Sequence, residues 1–185
     1  MSIPHAALDR PSDWVARFAR LIPAGEVLDL ACGGGRHARL LAALGHPVLA
    51  VDRDADALAR AAGAGITVMQ ADLEQEGHPW PFEAGRFAGI VVTNYLHKPL
   101  FPHLFRSLAQ DGLLIYETFA AGNEQFGKPT RPDFLLRPGE LLSEAHRAGA
   151  RVIAYEDGRV DVPKPAMVQR ICAGAPGFAP DLARL

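Results

Sequence analysis

The sequence predicts an α/β fold: a seven-stranded, mostly parallel sheet with helices on both faces and an antiparallel last strand. Three observations predict it. Seven short apolar runs recur along the chain, and most are separated by segments of helical period, the mark of βαβ units and a parallel sheet. The last two runs have only a Pro-containing turn between them, so they pair antiparallel. At 185 residues, with 49% apolar and 22% charged side chains, the chain fits one domain, 1–185, and needs no disulfide or metal to hold its core.

The elements follow in order. Ser12 caps a helix whose Trp14, Val15, Phe18, Leu21 and Ile22 share a face, and Pro23-Ala-Gly25 stops it. Val27 to Leu30 is a short buried strand that runs into Cys32-Gly33-Gly34-Gly35, and a helix follows from Arg36 to Leu44, closed by Gly45. Val48 to Val51 is the second strand, and Asp54 to Ala62 is an alanine-rich helix with Asp54 near its positive end. Ile66 to Met69 and Ala88 to Val92 are the third and fourth strands. A helix over Pro99 to Ala109 precedes the fifth strand, Gly112 to Tyr116. Thr118 to Arg137 is long for a structureless loop, so it reads as a substrate lid. Glu140 to Ala148 is the last helix, and Arg151 to Tyr155 and Met167 to Cys172 the last strands. In such open, Rossmann-like sheets ligands bind at the carboxyl ends of the strands, where strand order reverses.

Charge and cysteine content narrow the function classes. Nineteen basic against 21 acidic side chains leave a net charge of −2, which argues against a phosphate-driven nucleic-acid binder. Cys32 and Cys172 are far apart, as in a reducing compartment. The first ten residues lack a signal-peptide pattern and no segment is long and apolar enough to span a bilayer, so the expected location is cytoplasmic. The seven histidines are scattered and no ligand-spaced cluster emerges, so no metal is expected. Oligomeric state is not legible.

The chemistry concentrates at Asp29-Leu-Ala31-Cys32-Gly33-Gly-Gly35. Glycines there let the chain turn sharply and let a ligand approach the backbone, and the following helix aims its free N–H groups at the same space. Asp52 closes the second strand at a spacing suited to the two hydroxyls of a ribose, and Asp72 follows the third strand, with the Leu73 amide alongside, where an adenine amino group would be met. Gly33-x-Gly35-x-x-Ala38 also fits a dinucleotide fingerprint, so the glycines alone do not choose a cofactor. Asp29 does: a carboxylate there repels a pyrophosphate and attracts an ammonium. S-adenosylmethionine offers an ammonium, a carboxylate, a ribose and an adenine, which match Asp29, the helix N-terminus, Asp52 and Asp72. The competing readings are turn-capping acids and, for Cys32, a small pocket-lining residue.

These residues resemble the class I S-adenosylmethionine-dependent methyltransferases, whose acid-x-(Gly/Ala)-x-Gly-x-Gly motif stands here as Asp29-x-Ala31-x-Gly33-x-Gly35. The likeness covers nearly the whole chain and departs at Ala88, where many members carry an acid. Asp133 to Leu141 looks similar to the tellurite-resistance methyltransferase group. The resemblance implies cofactor contacts from Asp29, Ala31, Cys32, Gly33, Gly35, Asp52, Arg53, Asp72, Leu73, Thr93 and Asn94. It implies Tyr95 and His97 as catalytic candidates beside the transferred methyl, whereas the mix of aromatics and cations in Thr118 to Arg137 puts forward Phe126, Arg131 and Phe134 as substrate contacts on the lid, the alternative being a solvated insertion with its phenylalanines tucked under. The segment Thr93-Asn-Tyr-Leu-His97 lacks the Asn/Asp-Pro-Pro-Tyr motif of base methylation. The expected acceptor is a small molecule, a thiol or chalcogen oxyanion or similar, methylated by direct displacement. An NAD(P)-dependent oxidoreductase and a non-catalytic S-adenosylmethionine-binding protein are the alternatives.

Overall fold

The computed structural model describes residues 10–75, 77, 79–179 and 181. Helix α1 spans Asp13–Phe18 and tightens into a 3-10 turn at Ala19–Leu21. There follow β1 (Val27–Leu30), α2 (Arg36–Ala43), β2 (Val48–Asp52), α3 (Ala55–Ala61), β3 (Ile66–Gln70) and β4 (Phe87–Thr93). A second group comprises α4 (Phe101–Ser107), β5 (Leu108–Phe119), α5 (Glu140–Arg147), β6 (Arg151–Val160) and β7 (Ala166–Gly174).

The seven strands form one sheet in the order β3-β2-β1-β4-β5-β7-β6. The five on one side pair in parallel, and β7 runs antiparallel between β5 and β6. Strand order reverses at β1, which lies between β2 and β4, so the expected ligand crevice opens beyond Leu30. Every β4 residue is buried, and alternate positions feed two cores on the two faces. Leu28, Leu30, Ile90, Val92, Leu114 and Tyr116 point to one core. Val27, Val91, Ile115 and Cys172 point to the other, under Trp14, Val15 and Phe18 of α1. Both faces are buried because helices cover both, as a parallel sheet requires.

Local chemistry sets the boundaries. Ser12 Oγ accepts the Trp14 N–H at 3.2 Å, and Asp54 Oδ1 accepts the Asp56 N–H at 2.9 Å, so both helix starts use the caps expected of them. The structure departs from expectation at three strands. β5 is twelve residues long rather than five, because its Gln110-Asp111-Gly112 stretch continues the strand through a bulge against β4. β6 extends through polar Glu156, Asp157 and Gly158, since pairing to β7 rather than apolarity sets its length. β3 is largely exposed, because among the described residues no helix connects it to β4, and one edge of β3 has no neighbour in the sheet.

The loop between β5 and α5 is pinned. Ala120 bridges Leu136, and two 3-10 turns lie between, at Asn123–Gln125 and Pro132–Phe134. Buried Asn123 holds it: Nδ2 donates to the carbonyls of Gly127 (3.4 Å) and Pro129 (3.1 Å), and Oδ1 accepts the Met167 N–H at 3.3 Å. Asn123→Ala removes all three bonds and orphans the Met167 amide, at a cost of about 1–3 kcal/mol. The expected result is faster proteolysis between Gly122 and Arg137, with the rest of the fold protected. Wild-type cleavage rates in the variant would show that the loop is held elsewhere.

Candidate active site

The glycine turn forms directly beyond β1. Ala31 (φ 53°), Gly33 (φ 52°) and Gly35 (φ 79°) all adopt left-handed conformations, and the Gly35 N–H closes the turn onto the Cys32 carbonyl at 3.0 Å. The two glycines serve different ends. A Cβ on Gly33 would meet nothing within 4 Å, which leaves open space above the turn. A Cβ on Gly35 would collide with Ala61 of α3, so Gly35 packs the turn against a helix.

Asp29 is 1% exposed, and its Oδ2 accepts the Ala38 N–H in the first turn of α2 at 2.8 Å. Burial pushes its carboxyl up from 3.8 to about 7, although the Ala38 amide and the Arg36 charge pull it down. Asp52 sits at the end of β2, where Oδ2 accepts the Gly33 N–H at 2.8 Å and Oδ1 the Asp54 N–H at 3.0 Å. The turn-capping reading of both acids is thus realised, and it is compatible with ligand binding: a carboxylate offers about four lone-pair sites. Burial, with the charges of Asp29 and Asp52, raises the Cys32 thiol to about 12, so this cysteine is inert as a nucleophile at neutral pH.

A cavity of about 210 Å³ opens beside this turn. Ala31, Asp52, Arg53, Asp72, Leu73 and Tyr95, six residues singled out from the sequence on different grounds, line it, joined by Val51, Ala71 and Glu74. Its size suits part of a cofactor, since whole drug-sized ligands occupy roughly 300–1,000 Å³. The remainder of such a ligand would extend over the glycine turn. Tyr95 stands at the acidic end of the cavity: burial and a hydrogen bond to Glu74, with Asp72 nearby, raise its phenol well above the usual range. It therefore stays protonated near neutral pH and offers a neutral hydrogen-bonding group to the cavity.

The next row of residues follows β4. Thr93 is buried and its Oγ1 lies 3.3 Å from His37 Nδ1, while exposed Asn94 takes a left-handed turn (φ 54°) with its N–H on the Glu117 carbonyl. His97 is half-buried ahead of the 3-10 turn at Lys98–Leu100. Lys98 reaches buried Glu140 at 2.9 Å, and Glu140 also accepts the Arg137 N–H at 2.7 Å. Burial alone would raise the Glu140 carboxyl, but these partners hold it below the ordinary range. Glu140 thereby ties the segment after β4 to the end of the β5–α5 loop.

The three substrate contacts expected on that loop do not line the cavity. Arg131 is exposed, paired with Asp133 at 3.0 Å, and its guanidinium lies over the ring of Phe134. Phe126 lies under Arg159 of β6. The aromatic-cationic composition of the loop is spent on holding itself and the β6–β7 hairpin together.

Sequence reasoning missed His37, Glu74, Glu117 and Arg170. Glu117 is 8% exposed at the carboxyl end of β5, in register with Thr93 on β4 and Arg170 on β7. Glu117 and Arg170 form an ion pair, yet neither Glu117 Oε2 nor Arg170 Nε finds an aligned hydrogen bond. The available signal was a single charge inside the apolar runs Leu113 to Phe119 and Met167 to Ala173. Among the described residues no group of three His, Cys, Asp or Glu side chains could hold a metal, and no helix is long and apolar enough to cross a membrane.

Comparison with known proteins agrees with this geometry. Residues 27–112 match the methyltransferase domain family. A curated protein-L-isoaspartate O-methyltransferase of Chlorobaculum tepidum is 34% identical over 113 residues, which are 56% of this chain and 49% of that protein. The match thus spans about half the length of that relative. Among solved structures, TehB from Haemophilus influenzae superposes with a TM-score of 0.71 at 16% identity, over 89% of this chain and 62% of that one. An S-adenosylmethionine-dependent methyltransferase from Mesorhizobium loti gives 0.68 at 18% identity, over 88% of this chain and 98% of that one. Residues 27–112 thus match a methyltransferase domain, the acidic glycine turn lies where strand order reverses, and the fold is the one these solved methyltransferase structures share.

Proposed function

We propose that this chain transfers the methyl group of S-adenosylmethionine to a small-molecule acceptor. The observation that carries the reading is that Asp52 and Asp72 line one crevice beside a glycine turn with open space above Gly33, while Asp29 is buried beneath the start of α2. The residues fit that cofactor: Asp52 for the ribose, Asp72 and the Leu73 amide for the adenine, Asp29 and the start of α2 for the amino-acid tail. A dinucleotide would bring its pyrophosphate onto a helix N-terminus that Asp29 already occupies, and the like charges disfavour it. When bound, the sulfonium supplies an electrophilic methyl carbon. The chain then contributes alignment of the acceptor, worth about 7–11 kcal/mol when the geometry is a near-attack one, and exclusion of water. A thiolate or a chalcogen oxyanion needs no base. A neutral nucleophile would turn to His97, since Tyr95 keeps its proton.

Incubation with labelled S-adenosylmethionine and a panel of thiols and selenium or tellurium oxyanions tests the activity directly. Label transfer to one of them is the expected outcome. A thermal shift with NAD(P)H and none with S-adenosylmethionine would sink the reading.

Asp29 adds a pH signature. Below about pH 7 its carboxyl is protonated and does not pair with an ammonium, so binding there must expel a proton. Affinity for S-adenosylmethionine therefore rises as pH climbs to about 7, by up to about tenfold per unit. It falls again as the cofactor's amine, of pKa about 7.7–8.0, loses its charge. In Asp29→Asn the acid limb disappears. Calorimetry in two buffers of different ionisation heat reads the proton count, and a wild-type affinity flat on the acid side would remove the ammonium from Asp29.

A further inference from the structure

His37 is a titratable side chain that the mechanism above does not use. It lies in the first turn of α2, 1% exposed, and both ring nitrogens are engaged. Nε2 is 3.1 Å from the backbone N–H of Ser12, and Nδ1 is 3.3 Å from Thr93 Oγ1. A backbone amide only donates, so Nε2 must be the bare, accepting nitrogen. The ring's single proton is then on Nδ1, where it is donated to Thr93 Oγ1. The neutral state this requires is secure, because burial, with the nearby Arg36 charge, pushes the imidazole down to about 3. A threonine hydroxyl that accepts a hydrogen bond from the ring turns its own hydrogen elsewhere. Thr93 ends β4 one residue past the Leu30–Val92 pair of the β1–β4 register, beside Ala31, which lines the cavity.

We propose that His37 is a positioning residue for the cofactor's amino-acid tail: its Nδ1–H holds Thr93 Oγ1 so that the Thr93 hydroxyl hydrogen is presented to the tail carboxylate. This rests on the reading of the crevice as an S-adenosylmethionine site, and it adds a side-chain donor beside the first turn of α2. It also explains why a polar, ring-bearing residue occupies a buried position at the start of a helix where an aliphatic side chain would pack more cheaply.

The test is a double-mutant cycle on cofactor affinity by calorimetry, with adenosine as the control ligand because it lacks the tail. Thr93→Val is expected to weaken S-adenosylmethionine binding roughly tenfold, as for one hydrogen bond to a charged group, and to leave adenosine binding unchanged. His37→Phe should weaken it to a similar extent alone and add little in the Thr93→Val background, whereas two independent structural effects would add. His37→Gln, which keeps a donor and an acceptor on a flexible stem, should recover part of the loss. Should the phenylalanine variant not fold, long-range nitrogen–proton spectra of the wild type still read the tautomer. A proton on Nδ1 supports the assignment, and a proton on Nε2 overturns it. Additive losses, or equal losses with adenosine, overturn it as well. A wild-type chain that binds adenosine but not S-adenosylmethionine overturns the proposal while sparing the nucleoside pocket. Binding of neither overturns the cofactor reading itself, and this proposal with it.

Discussion

Asp52→Ala is expected to weaken S-adenosylmethionine binding by roughly 10- to 150-fold, the equivalent of about 1.5–3 kcal/mol for hydrogen bonds to a charged group. The carboxylate stands at the lip of the cavity with one oxygen on the Gly33 amide and the other on the Asp54 amide. Each of those bonds uses one lone pair, so both oxygens retain capacity for a ribose hydroxyl. Alanine deletes that capacity and also orphans the Gly33 N–H, so part of the loss comes through the turn. The two parts are separable with a ligand. A 2′-deoxyribose analogue of the cofactor product should bind more weakly than the parent to the wild type and equally well to Asp52→Ala, because only the direct contact depends on the hydroxyl. Unchanged cofactor affinity in the variant would remove the ribose assignment altogether.

Asp52 was legible because its position follows from periodicity alone: an apolar strand that stops at an acid, beside a glycine turn that stops the neighbouring strand. The same logic located Asp29 and Asp72, and the structure gathers Asp52, Arg53, Asp72, Leu73 and Ala31 around one cavity. The residues that were not legible act across the sheet. His37 matters through Ser12 and Thr93, 25 and 56 positions away, and Glu117 through Arg170. No local pattern encodes such contacts. At the β5–α5 loop composition fits two arrangements at once. Aromatics mixed with cations are what a ligand-facing lid carries, but they also hold a loop to its neighbours, and only coordinates distinguish Arg131 over Phe134 from Arg131 facing a substrate. Strand lengths failed for a related reason. The polar residues of β5 and β6 are strand because their partners are, which apolar runs do not record.

The largest effect on the fold itself is expected at Gly35. Its φ of 79° already costs an L-residue about 1–2 kcal/mol. A Cβ there would also lie 2.6 Å from Ala61 Cβ and 2.7 Å from Ala61 Cα. The second contact is with backbone inside α3, which does not swing aside as a flexible side chain would, so a further cost of about 1–3 kcal/mol follows from overpacking. Gly35→Ala should therefore lose about 2–5 kcal/mol, a large share of the roughly 5–15 kcal/mol that holds an ordinary domain. Denaturant melts read this as a lowered midpoint at unchanged slope. Gly33→Ala makes the instructive contrast. Its φ of 52° carries the same backbone cost, but the new methyl meets nothing within 4 Å and projects into the space above the turn. That variant should remain folded, with a smaller stability loss, and fail to bind S-adenosylmethionine because the methyl occupies the ground on which the ligand rests. A wild-type midpoint in Gly35→Ala would show that α3 yields. Wild-type cofactor affinity in Gly33→Ala would show that the ligand lies elsewhere, which no rearrangement of the three acids could accommodate.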